Sequence, residues 1–527
     1  MLDVMLRGGT VIDGTGAPMV RADVGIAGDT ITEVGDLGSA WVRQIVDCSG
    51  LYVAPGFIDM HSHYDLRLFT EPEAPAKIRQ GVTCDLLGQD GISVAPISER
   101  NIPQVREQLS GLLGNPDITW SWRSVQDYLG ALDGKIGMNV AYLVPHGALR
   151  WEVMGFEARQ PTARELDAMR GLLRDSLQAG GVGFSTGLIY PPCCFADQEE
   201  LTRLNEVTAR EGGFLVVHMR SESDFVLEAL QEMIAVSRDS GAPLHLSHFK
   251  ASGRANWPKL ARMIELIEAR RAAGQDITCD QYPYEAGSTM LGALLPPWAH
   301  DGGQAKVLER LADRATREKM RAEIEATEIS RWENFTQQAG YEGILITSLN
   351  SEKNRPAIGK TVADIARLWA KPPAEVVFDL LLEERMGVTM VIFSQSEANV
   401  ALAMRASFQM VGSDGILGGK PHPRVFGTFP RVLGRYVRER KLLTWEDAIH
   451  RMTGKPAARL RFPDRGRIAP GMKADLTVFD PATVVDRGTY QNPTPPPDGI
   501  AYVFVNGKLA CERGQITGAL AGRALTH

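Results

Sequence analysis

At 527 residues, with 44% hydrophobic and 23% charged residues and a formal charge of -7, the chain has the composition of a globular protein with room for a large barrel and a smaller module. The acidic balance and the lack of any basic run exclude a nucleic-acid footprint, and no apolar stretch approaches the length of a membrane span. The opening "MLDVMLRGGTVIDGTG" lacks the basic head and long apolar centre of a secretory signal, and six scattered cysteines (Cys48, Cys84, Cys193, Cys194, Cys279, Cys511) read as reduced thiols of a cytoplasmic protein.

In chain order, residues 1–56 carry short strand-and-turn patterns, "MLRGGTVIDGTG" and "ADVGIAGDTITEVG", in which Val, Ile and Thr alternate between glycine turns as in antiparallel sheet. "LYVAPGFIDM" then reads as a buried strand entered through a Pro-Gly turn, and it leads into His61 and His63. Side chains two apart on an extended chain share a face. The pair alone reads either as half a metal site or as polar core residues tied to backbone carbonyls.

Further strands are predicted at "VTCDLLG" and "NVAYLVPH". From about 160 to 285 helices and short apolar strands alternate. "PTARELDAMRGLLRDSLQAGG" has Thr162 and Glu165 in capping-box register, Leu166, Met169, Leu173 and Leu177 on one stripe, and a stop at Gly180-Gly181. The strands "VGFSTG", "FLVVHM", "LHLSHF" and "ITCDQYPY" follow at intervals of about thirty residues, one βα unit apiece. Between Tyr284 and about Thr389 the pattern is suspended, and the charged tract "KVLERLADRATREKMRAEIEA" reads as part of an insertion above the barrel mouth. "FQMVGSD" supplies an eighth strand, the number in a parallel (β/α)8 barrel, whereas no glycine fingerprint supports a doubly wound sheet. After "NPTPPPDG", a Pro-rich loop, "IAYVFVNGKLACERGQIT" returns to the pattern of the first residues. The expected architecture is thus an α/β TIM barrel over 57–465 with an insertion at roughly 290–345, and a small β-sandwich module built from 1–56 and 466–527.

In such a barrel the C-terminal ends of the strands form the active face. His61 and His63, His218, His248 and Asp414 all fall at predicted strand ends and so converge from most of the chain's length. A cluster of four histidines and a carboxylate is not explained by core packing and points to a divalent metal. His245, three residues before His248, is expected on the opposite strand face in the core, and His146 is expected to orient a neighbour. His300, His422, His450 and His527 fall on predicted loops or helices and stay unassigned.

These residues and the motifs "PGFIDMHSH", "STGLIYPP", "VHMRSE", "LSHFKASG", "DQYPYEAGST", "VGSDG", "HPRVFGTFPRVLGRY", "PGMKADLTVFDP" and "VFVNG" resemble the metal-dependent amidohydrolase superfamily, in particular its D-aminoacylase (N-acyl-D-amino-acid deacylase) branch. The resemblance runs over nearly the whole chain. It implies a TIM barrel with a composite β-sandwich, zinc (one or two ions) and amide hydrolysis. It also implies that Lys250 and Arg424 bind a substrate carboxylate and that Tyr190, Tyr282 and Ser288 line the substrate site. The branch usually shows "GNCG" after the second strand, with the cysteine as a metal ligand; here the stretch is "LLGQDGIS", with Asp90 at the cysteine position and Cys84 too far upstream to replace it.

The chemistry is consistent with these residue types. A divalent ion supplies a nucleophile and polarises an amide carbonyl, neutral histidines with a carboxylate suit zinc, and Asp414 is placed to act as general base and then to protonate the leaving amine. The expected metal set is His61, His63, Asp90, His218, His248 and Asp414. Asp90 is expected to stand between the two histidine pairs and Asp414 to serve the first; the competing expectation is a plain Asp-Gly turn whose side chain caps a backbone N–H. The expected partner is a small amide substrate with a free carboxylate, with self-association into a homo-oligomer left open. A cyclic lactam or imide hydrolase, a D-dipeptide hydrolase and a non-catalytic assembly module are the alternatives.

Overall fold

The computed structural model describes residues 1–38 and 40–526; His527 lies outside them. Eight short strands form its centre: β1 (Phe57–Asp59), β2 (Val82–Leu87), β3 (Asn139–Pro145), β4 (Gly183–Gly187), β5 (Leu215–His218), β6 (Leu244–Leu246), β7 (Ile277–Gln281) and β8 (Gln409–Val411). Each runs parallel to its neighbour in sequence. The ring closes beyond β1 and β8, where Met60 N–H donates to Val411 O at 3.3 Å and Ser62 bridges Gly415. This is the expected TIM barrel. Alternation along the strands sends Ile58, Leu86, Leu143, Val216 and Met410 into the barrel. It leaves Phe57, Leu87, Phe184 and Leu215 for the surrounding helices.

The helices follow their sequence signals. Helix Ala163–Gln178 begins at Thr162, whose hydroxyl accepts from Glu165 N–H while the Glu165 carboxylate accepts from Thr162 N–H, a reciprocal cap worth about 1 kcal/mol. Met169, Leu173 and Leu177 on its inner stripe are buried, and Leu166 is half-buried at the edge.

Two expectations need correction. The apolar run "LYVAPGFIDM" is two strands in two different sheets, Tyr52–Pro55 in the terminal sheet and β1 in the barrel. Gly56 separates them where a Cβ would stand 2.2 Å from Thr83 Oγ1. The terminal sheet is also mixed rather than antiparallel. Its first strand, Leu2–Val11, pairs antiparallel with Val20–Ala27 but parallel with Val42–Asp47 and Tyr52–Pro55. Leu476–Phe479 then pairs antiparallel with Tyr52–Pro55, so both ends of the chain share one nine-stranded sheet around Leu6, Val24, Val53, Leu476 and Phe504.

Between β7 and β8 the chain builds a three-stranded antiparallel sheet from Gly287–Met290, Ile344–Ser348 and Thr389–Ile392. Helices pack over it around Leu291, Val307, Phe378 and Leu381. The charged tract forms two helices, Gln304–Ala312 and Arg314–Ile324, divided at Asp313, whose carboxylate accepts from Thr316 N–H at 2.8 Å.

On the helix-facing side of β1 and β2, Lys77 is fully buried, with its ammonium 2.6 Å from Asp59 and 3.2 Å from Asp85. It also donates to Ser62 at 2.9 Å and Ser413 at 3.1 Å, tying the end of β1 to the loop that follows β8. Removing one partner from a buried ionic cluster leaves uncompensated charge. Lys77→Met is therefore expected to destabilise the fold by about 3–5 kcal/mol in denaturant unfolding. A loss under about 1 kcal/mol, the scale of an exposed ion pair, would show that the cluster contributes no more than a surface contact.

Candidate metal centre

β2 ends at Leu87 and the chain reverses through Gly88, Gln89, Asp90 and Gly91, with φ of 78°, 56° and 68° at Gly88, Asp90 and Gly91. The glycines are sterically required: a Cβ on Gly88 would fall 2.2 Å from Leu143 O, and one on Gly91 2.9 Å from Thr186 Cα. Aspartate tolerates the left-handed backbone between them. This turn aims the Asp90 carboxylate into the barrel mouth. Its Oδ2 lies 3.6 Å from His61 Nε2 and 3.5 Å from His63 Nε2, while its Oδ1 lies 3.9 Å from His248 Nε2.

Asp414, also left-handed with φ 49°, faces the first pair; its Oδ1 is 3.6 Å from His61 Nε2 and 3.3 Å from His63 Nε2. Two donor sets result, His61, His63, Asp90 and Asp414 in one and Asp90, His218 and His248 in the other, with the donor atoms of each within 4.8 Å of one another. Among the described residues the Asp90 Oδ1 has no hydrogen-bond partner, so that oxygen caps no backbone group of theirs.

The residues suit a divalent cation. Among the described residues both ring nitrogens of His61 and of His218, Nδ1 of His63 and Oδ1 of Asp90 are buried without a hydrogen-bond partner. Each such atom costs about 1–3 kcal/mol unless something completes it. The charge balance agrees. Burial alone would lower the His61 pKa, but the Asp90, Asp280 and Asp414 carboxylates hold it well above its ordinary value. Burial opposes the Asp414 charge, yet the Arg424 guanidinium and His61 keep its carboxyl well below the usual range. Burial pushes His218 down to about 3, so its imidazole is neutral and its lone pair available. Carboxylates that favour positive charge, set among imidazole nitrogens, form a hard and borderline donor set that accommodates zinc.

Regular strand pairing does not by itself place every one of these groups. β1 stops at Asp59, so His61 and His63 stand beyond it, their ring centroids 5.3 Å apart. β6 stops at Leu246, and His248, with φ 34°, leaves the strand alternation altogether. His245 is a core residue as expected, its ring between Thr278 Oγ1 at 2.8 Å and Asp280 Oδ2 at 3.1 Å. His146 contacts Thr186 and Glu200 at 3.0 and 2.8 Å, away from both donor sets.

Arg424 and Lys250 both approach the Tyr282 ring, 4.5 and 6.0 Å from its centroid. Arg424 is fully buried, with Nη1 2.9 Å from Asp414 Oδ2, Nη2 donating to Ser288 O at 3.1 Å, and Nε without a partner. The Ser288 hydroxyl is itself engaged, donating to Met390 O at 2.8 Å. Tyr190 contacts Thr289 Oγ1 at 2.8 Å. That contact stands between a tight cavity of about 30 Å³ beside Asp414 and Lys250 and a larger one of about 190 Å³ lined by Ile92, Leu188, Met290 and Leu295.

Two residues at the centre carried no sequence expectation. Asp280, on β7, accepts from His248 N–H at 2.9 Å and lies 3.5 Å from His61 Nδ1, so one carboxylate touches both histidine pairs. Glu222 lies within "VHMRSE", four residues after His218, and contacts His248 and Lys250. The only available signal was a carboxylate close in sequence to a strand-end histidine.

The sequence pattern described as Amidohydro_3, amidohydrolase family, matches residues 44–510. The chain belongs to the amidohydrolase family. Among amidohydrolases it is similar to the D-aminoacylase of Alcaligenes xylosoxydans xylosoxydans, with 36% identity over 100% of this chain and 98% of the relative. It is also similar to the N-acyl-D-glutamate deacylase of the same organism, with 38% identity over 96% and 93%. A crystal structure of N-acyl-D-glutamate deacylase from Bordetella bronchiseptica, complexed with zinc and a phosphonate inhibitor that mimics the tetrahedral intermediate, superposes with a TM-score of 0.85 at 35% identity, covering 100% of both chains.

Proposed function

We propose that this amidohydrolase is a zinc-dependent deacylase that hydrolyses N-acyl-D-amino acids to a D-amino acid and a carboxylate. The observation that carries the reading is a pair of cations, Arg424 and Lys250, both beside the Tyr282 ring and next to the histidine–aspartate donor cluster, a pair suited to a substrate carboxylate. The similarity to D-aminoacylase and N-acyl-D-glutamate deacylase supports it. A cyclic lactam or imide without a carboxyl substituent would leave the two cations with no anion to bind.

His61, His63, Asp90 and Asp414 would hold one ion, and Asp90, His218 and His248 a second. When bound, such ions acidify water and polarise an amide carbonyl. The chain's own groups supply the rest. Arg424 and Lys250 fix the substrate carboxylate by charge-assisted hydrogen bonds, which orients the scissile amide. Asp414 takes a proton from the attacking water as the C–O bond forms, and returns it to the amine nitrogen as the C–N bond breaks. Ser288, Thr289 and Phe335 of the inserted segment help to line the small cavity beside Asp414 and Lys250. Exclusion of water strengthens every charge contact there. The six unpaired cysteines suit a reducing cytoplasm, where we place the protein, acting on a small-molecule substrate.

The test combines metal analysis with an assay of N-acetyl-D- and N-acetyl-L-amino acids. Stoichiometric zinc or a related divalent ion, release from the D series alone and loss of activity with a chelator are expected. Full hydrolytic activity in metal-free protein would end the reading. Arg424→Ala should raise KM for a carboxylate-bearing substrate by the equivalent of about 1.5–3 kcal/mol, roughly 10–150-fold, while leaving KM for an uncharged amide nearly unchanged. Equal effects on both substrates would remove Arg424 from carboxylate recognition.

A further inference from the structure

Glu222 is buried, 1% exposed, and faces three polar groups at once. Its Oε1, buried without a hydrogen-bond partner among the described residues, lies 3.0 Å from His248 Nδ1, and its Oε2 lies 2.6 Å from Lys250 Nζ and 3.5 Å from His218 Nε2. Its backbone is anchored from the inserted segment, because the Glu333 carboxylate accepts from Glu222 N–H at 3.1 Å and from the Ser223 hydroxyl at 3.0 Å. The Lys250 ammonium also lies 2.7 Å from the same His248 Nδ1.

These two neighbours make opposite demands on one ring nitrogen. An ammonium has only donors and a carboxylate only acceptors, so Nδ1 must be bare to meet Lys250 and protonated to meet Glu222. The nitrogen turned toward Asp90 is Nε2, at 3.9 Å. An imidazole that offers Nε2 to a metal carries its hydrogen on Nδ1, and the group accepting that hydrogen fixes the tautomer and the ring plane. Among the described residues the acceptor at that position is Glu222, since the other nearby polar group is a cation.

We propose that Glu222 is a positioning residue that holds His248 in its Nδ1–H tautomer, so that the Nε2 lone pair faces the second donor set with Asp90 and His218. Lys250 then gives up its contact with Nδ1 and retains Glu222 Oε2 and His248 O, the latter at 3.1 Å, with one N–H left for the cavity. The inference rests on the metal assignment made above, and its test reads metal affinity rather than turnover.

Zinc bound per chain would be measured by elemental analysis across a chelator-buffered zinc series, with cadmium-113 resonances of the cadmium-loaded protein as a site-resolved signal. The wild type is expected to load two ions. Glu222→Ala should bind the second ion about 10–100-fold more weakly and lose one cadmium resonance, while the ion at His61 and His63 stays in place. Glu222→Gln keeps an acceptor for Nδ1–H at the same length and should recover part of the affinity; this variant also decides the matter if the alanine protein does not fold. Unchanged affinity for the second ion in both variants, a glutamine protein weaker than the alanine one, or a wild type that takes only one ion would each overturn the role given to Glu222. A wild type that binds no ion would instead sink the deacylase reading.

Discussion

Asp414→Asn is expected to lower turnover of N-acyl-D-amino acids by roughly 10²–10⁴-fold, the usual contribution of a positioned proton carrier. The substitution changes little else. Asparagine tolerates the left-handed backbone found at this position, φ 49°, and has the same shape. Its side-chain oxygen can still face the Arg424 guanidinium, whose Nη1 stands 2.9 Å from Asp414 Oδ2. What is lost is the capacity to take a proton, and part of the charge facing His61 and His63. The second donor set does not include Asp414, so one ion should remain. Turnover and zinc content measured on the same preparation check the result. Near-normal turnover would assign proton transfer to another group.

Asp90→Ala should have the other large effect, because Asp90 belongs to both donor sets. Without it the first set retains His61, His63 and Asp414, and the second only His218 and His248. Loss of a residue behind a ligand costs roughly 10–100-fold in metal affinity, and loss of a shared ligand should exceed that at both positions. Zinc content and activity should fall together. Alanine at φ 56° also adds backbone strain, so Asp90→Asn, which tolerates that conformation, separates strain from ligation. A protein with normal zinc and normal turnover in both variants would reduce Asp90 to a turn residue.

Much of the fold was legible because βα units leave a regular trace. His218 could be placed because β5 ends on it in the predicted strand, and Asp414 because it follows β8 by a few residues in a glycine turn. What could not be read depended on breaks in periodicity. His248 was expected at the mouth from its place after a strand, but it reaches the second donor set through a left-handed residue beyond β6, so a pattern of period two gave its neighbourhood and not the direction of its ring. The division of "LYVAPGFIDM" hinges on Gly56, where contact with Thr83, distant in sequence, forbids a side chain. Glu222 sits in an irregular turn, so its position against His248 and Lys250 had no pattern to announce it. Asp280 looked like one more strand residue, since its contacts come from His61 beyond β1, from His245 on β6 and from the loop after β6.

The pairing of Tyr52–Pro55 with Leu476–Phe479 also sets a schedule for the growing polypeptide. At roughly 5–20 residues per second a ribosome needs tens of seconds to connect those partners. Throughout that interval the early strand has one unpaired edge, the kind that templates pairing with other chains. The barrel segments emerge meanwhile and can form among themselves, since each strand needs only its sequence neighbour. Leu476–Phe479 therefore closes an edge left open while the whole barrel is being made.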